Sequence, residues 1–131
     1  MANLQSLNID GDLILDKVNA NIQSPGTAIH VDLSLGNYFE VDFQNVSGSI
    51  TTFTVNNPHA SQVSSFVLKI TQGSLNWGID WGGLSAFDWD GGSPGSPNLS
   101  AGNDAIDILR FTSASNSTSL WYGEVVGLNF T

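Results

Sequence analysis

The chain has 131 residues, enough for one domain that buries roughly two-thirds of its unfolded surface, and a formal charge of −9 from 12 Asp and Glu against 3 Lys and Arg. Cations as few and as scattered as Lys17, Lys69 and Arg110 cannot neutralise a run of phosphates, which argues against nucleic acid as a partner. Charged residues make up 11% of the chain, below the roughly 25% of ordinary domains, and the absence of cysteine excludes disulfides, thiolate metal sites and a cysteine nucleophile.

The opening MANLQSLNIDGDL has no cationic start and no apolar run, so no signal peptide is expected. No stretch approaches the roughly 18 continuous apolar residues of a membrane span. Starting from its own Met1, the chain reads as complete and as made in a cytoplasm. Residues 1–27, with one apolar cluster at Leu13 to Leu15 and a linker-like end at Pro25-Gly26, are expected to form an arm or an added edge strand, and residues 28–131 the domain proper. In AIHVDLSL, Ile29, Val31, Leu33 and Leu35 alternate with polar residues, the period of a half-buried strand. YFEVDFQ repeats the device with Phe39, Val41 and Phe43 against Glu40, Asp42 and Gln44. SITTFTV is rich in β-branched residues and stops at the turn signal Asn57-Pro58. SFVLKITQG then places Phe66, Leu68 and Ile70 inward and ends at Gly73. GGSPGSPNLSAGND is a loop by composition, and the strands AIDILRFT and SLWYGEVVGLNF follow, separated by SASNST. With no amphipathic helix and seven or eight short strands, the prediction is an all-β single domain: two packed antiparallel sheets, a sandwich or jelly roll. Its expected core holds Phe39, Val41, Phe43, Phe66, Leu68, Ile70, Leu109, Phe111 and Trp121.

The stretch WGIDWGGLSAFDWDGG carries three of the four tryptophans and three of the twelve acidic residues. Trp77, Trp81, Asp88, Trp89 and Asp90 are therefore the candidate ligand or partner loop. Exposed indoles beside carboxylates suit a sugar, whereas buried indoles would be packing, the commoner fate of large aromatics. FDWDGG resembles the start of a calcium loop but lacks the full D-x-[DN]-x-[DN]-G-x5-E spacing. Asp88 and Asp90, two apart, share one face of a strand and cannot flank a glycosidic bond. His30 on a polar strand face and His59 in a turn have no triad context. No metal, cofactor or catalytic activity is expected.

From about Val31 onward, the order DLSLGNYFEV, TTFTVNNPHAS, SFVLKITQGS, FDWDGGSPGSPNLSAGNDAIDILRFT and LWYGEVVGLNF resembles a module of tailed-bacteriophage virion proteins. Those relatives show a TGN strand, an NPP turn, an FTLKITQ strand, a W…KWPGGTAP loop, a VDILTF strand and a closing TWYG…GQNF. The resemblance covers about three-quarters of the chain. It implies that Trp89, Gly91, Gly92, Pro94, Asp107 to Leu109 and Trp121-Tyr122-Gly123 are scaffold positions. The chain departs from the pattern at Asp88, where a Lys is usual, and at SNST, where a DGG turn is usual. A free-standing module with a short arm implies a homotrimeric capsid decoration, or cement, protein that binds the major capsid protein on the virion's outer head surface after synthesis in the host bacterial cytoplasm. The rival expectation is a tail-fibre or tail-tip receptor-binding protein that holds glycan through the tryptophan and aspartate loop.

Overall fold

The structure, a computed structural model, describes residues 18–19, 26–59, 61–92, 95–113 and 119–131. The strands are β1 (Val18–Asn19), β2 (Ala28–Asp32), β3 (Tyr38–Asp42), β4 (Thr52–Asn56), β5 (Ser65–Thr71), β6 (Phe87–Trp89), β7 (Ile106–Ser113) and β8 (Trp121–Phe130). Single 3-10 turns occur at Phe43–Asn45 and Trp81–Gly83, and the described residues contain no α-helix. Six strands form one sheet in the order β1-β3-β5-β7-β8-β6, and β2 and β4 form a second. The expected all-β, two-sheet architecture is therefore present. Of the expected N-terminal arm, Val18–Asn19 forms a short edge strand, and Leu13 to Leu15 and Pro25 lie outside the described residues, as do the loop positions Ser93, Pro94 and 114–118.

Strand directions are mixed, and the reason is the path of the chain. From β1 to β5, successive strands alternate between the two sheets. Two reversals separate each strand from the next in its own sheet, so β1 with β3, β2 with β4 and β3 with β5 all pair in parallel. Parallel bridges from Gly26 to Val46 and from Ile50 to Ile79 continue this stacking. Among the described residues, antiparallel pairing appears only where β7 joins β5 and β8 joins β7. Alternation of apolar and polar residues reports that one face is covered; it carries no record of strand direction.

All nine residues expected in the core are buried, together with Ile29, Val31, Ile50 and Phe53. Phe53 on β4 reaches across the sandwich to Phe87 at 4.6 Å, Phe111 at 5.8 Å and Phe66 at 6.4 Å between ring centroids. Phe66 and Phe111, neighbours across β5 and β7, stack at 4.9 Å. One expectation of burial needs correction, and one strand is more exposed than its composition suggests. The alternation through Leu35 ends at Asp32, whose Oδ1 accepts the Ser34 N–H (2.9 Å) and hydroxyl (2.7 Å); this turn leaves Leu33 half-buried and Leu35 47% exposed. In β8, only Trp121 is buried, and Tyr122, Val125, Val126, Leu128 and Phe130 are all exposed.

The loop after the tryptophan-rich segment is anchored by two buried polar side chains. Asp107 accepts the Ser100 N–H (2.7 Å), the Ser100 hydroxyl (2.6 Å) and the Asn129 N–H (2.9 Å), so its carboxylate is buried fully partnered. Gln72 donates to the Trp77 and Ser100 carbonyls at 2.9 and 3.2 Å. Truncation of the buried Phe66 to Ala removes a ring that touches both sheets, and should cost about 3–5 kcal/mol in chemical denaturation. A loss below about 1 kcal/mol would mean that the face assignment of β5 is reversed.

Candidate functional site

The tryptophan-rich segment is strapped to the sandwich at both ends. Ile50 N–H donates to the Gly78 carbonyl and Asp80 N–H to the Ile50 carbonyl, both at 2.8 Å, which fixes the approach to the 3-10 turn at Trp81. Strand β6 then pairs in parallel with the start of β8, matching Phe87 to Trp121, Asp88 to Tyr122 and Trp89 to Gly123. The two tryptophan motifs, about 30 positions apart in sequence, are thus adjacent strands. Gly123 is required by this contact, since a Cβ there would lie 2.7 Å from the Trp89 ring. Gly91 and Gly92, at φ of +86° and +78°, turn the chain away immediately after Trp89.

These contacts decide which of the candidate residues can meet a ligand. Trp81 and Trp89 are each 7% exposed and meet edge to face at 4.7 Å, with Phe111 5.6 Å from Trp89. Trp77 is half-buried against the same core. The indole N–H groups of Trp77, Trp81 and Trp89 are buried with no protein acceptor. An unpaired N–H costs about 1–3 kcal/mol, whereas burying 150–250 Å² of indole returns about 4–6 kcal/mol. Apolar packing therefore outweighs the lost hydrogen bond, and these rings act as core. Asp88 and Asp90 are exposed on either side of Trp89, and Asp80 is exposed nearby. Among the described residues, no three His, Cys, Asp or Glu side chains converge to hold a metal ion.

The histidines also have ordinary partners. His30 Nδ1 meets the Thr54 hydroxyl at 2.6 Å across the β2–β4 pair, and His59 Nδ1 accepts the Ser61 N–H at 3.2 Å. His59, Leu33, Asn37, Asn57, Gln62 and Val63 line an open cleft of about 480 Å³ at one end of the sandwich. Its neighbour Asp32 is held below its ordinary carboxyl pKa by hydrogen bonds from the Asn57 side chain, then from the Ser34 hydroxyl and N–H. These groups partner one another and stabilise the turn.

The feature that sequence reasoning missed is the outer side of β8. Strand β6 covers its far edge only at Trp121–Gly123, and among the described residues no strand lies beyond 124–130. The run EVVGLNF, expected only to be part of the last strand, carries a row of exposed apolar side chains. Its signal was present in the unbroken succession Val125-Val126, which places an apolar residue on each face. No known protein family, curated protein or solved structure matches the chain. No helix among the described residues is long and apolar enough to cross a membrane.

Gly123→Ala should destabilise the protein by about 1–3 kcal/mol through overpacking against Trp89. In a double-mutant cycle measured by denaturant unfolding, Trp89→Leu should relieve most of that cost. Equal costs of Gly123→Ala in both backgrounds would show that the two residues do not press on one another.

Proposed function

We propose that this protein is a virion structural protein of a tailed bacteriophage, a homotrimeric decoration protein that binds the major capsid protein on the outer head surface. Its role is adhesion, not catalysis. What supports the reading is an ordered series of motifs, from SFVLKITQ through FDWDGG and AIDILRFT to LWYG, that resembles the phage virion modules. In the fold these motifs are neighbours: β5, β6, β7 and the start of β8 lie side by side, and their signature residues Trp89, Asp107, Trp121 and Gly123 are scaffold.

The mechanism is mass action. Packed genome presses the shell outward, and a protein that binds only the assembled lattice shifts the equilibrium toward it. A trimer on a local threefold presents one patch three times and gains effective concentration without new chemistry. A surface poor in charge, with Ser, Thr and Asn plentiful, suits contacts that survive changes of ionic strength. The glycan-binding alternative asks for an aromatic face open to a sugar, and burial of Trp81 and Trp89 gives it little support.

The experiment mixes purified protein with stripped heads and, separately, with tails, then measures binding and the temperature at which heads release DNA. Binding to heads, one trimer per local threefold with a raised release temperature, is the expected result. Binding confined to the tail tip would replace this reading with the receptor-binding one.

A further inference from the structure

The outer face of β7 and β8 differs from the rest of the surface in two respects. Leu109, Phe111 and Ser113 are buried, so the residues between them on β7 and their partners on β8 point outward. The outward pairs are Thr112 with Tyr122, Arg110 with Glu124, Ile108 with Gly127 and Ile106 with Phe130. Tyr122 and Val126 are each 52% exposed and Phe130 46%. The Phe130 ring lies over Gly127, where a Cβ would collide with it, so the register shifts between β7 and β8 are roofed by an aromatic ring. The surface is thus apolar across two strands and continues to the free edge of β8.

The second respect is charge. Arg110 and Glu124 are the charged residues on this face, and they neutralise one another at 2.7 Å. On the adjoining strands, Lys69 is likewise paired with Glu40 at 3.5 Å. Every cation of the chain except Lys17 is spent in these two pairs, while the exposed Asp80, Asp88, Asp90 and Asp104 lie elsewhere. A chain of net charge −9 pays for like-charge juxtaposition wherever its acidic surface meets itself. On the face of β7 and β8 that penalty vanishes.

We infer that this neutral, apolar face, with the open edge of β8 at 124–128, is the surface through which copies of this chain associate with one another. A partner selected by charge would seek the acidic surface; a second copy is the occupant for which a locally neutral face matters most. The edge carries no Pro or Lys from Trp121 to Thr131, and among the described residues no strand pairs with its outward backbone groups at 124–128, which leaves them to an added strand. In a trimer the contact is heterologous, each copy offering β8 to the next around the ring. The inference rests on the proposed trimer and specifies its interface.

The test needs no capsid. Sedimentation velocity over a concentration series compares the wild-type protein with Val126→Glu, Tyr122→Glu and the control Leu35→Glu, each checked for folding by its thermal melt. Wild type and Leu35→Glu should associate equally, with little response to salt, while both β8 variants should associate at least about tenfold more weakly. A wild-type protein that stays monomeric, or folded β8 variants that associate like wild type, would overturn the inference. Self-association through β8 without any binding to heads would leave this interface standing and defeat the decoration role, and the opposite pattern would do the reverse.

Discussion

A sheet of two strands is at best marginal on its own, and among the described residues the second sheet of this sandwich is β2 and β4. What holds that sheet in place is Phe53, whose ring enters the aromatic cluster made by Phe66, Phe87, Phe111 and Trp81 on the other side. Ile29 and Val31 add fully buried aliphatic surface from β2. The cluster also explains why the tryptophan-rich segment folds inward: it supplies the bulk that a small sheet cannot. Trp81 packs on Phe87 and Trp89 at 5.8 and 4.7 Å, and Trp121 meets Phe66 at 5.3 Å, which extends the same cluster.

This dependence has a consequence for function. Aromatic residues committed to holding two unequal sheets together are not free to stack on a ligand, and the acidic residues between them face water without converging. The glycine at position 123 serves the same packing by admitting the Trp89 ring. Trp81 and Trp89, the aromatic half of the candidate loop, are therefore packing residues.

Much of the fold was legible from alternation alone. Phe39 and Val41, or Phe66, Leu68 and Ile70, can occupy one face only if they lie on a strand, and the structure buries them all. The parallel stacking of β1 to β5 was not legible, because a strand covered on one face has the same pattern whichever way its neighbour runs. Leu35 misled because periodicity continues past the point where the Asp32 carboxylate draws the chain into a turn. In β8, nothing local marks the strand as lying at an open margin: the difference lies in the short β6, which stops at Trp89, and among the described residues no further strand covers that edge from Glu124 onward.

A packed aromatic interior is joined here to an outward sheet face that is neutral in an acidic protein. The proposed decoration role places such a molecule on the outer head surface of the virion. Cryo-electron microscopy of intact virions, compared with particles that lack this protein, addresses it directly. The account predicts difference density on the outer head surface, threefold and centred on local threefold axes between capsid subunits. Difference density confined to the tail tip, or none on the particle, would contradict it.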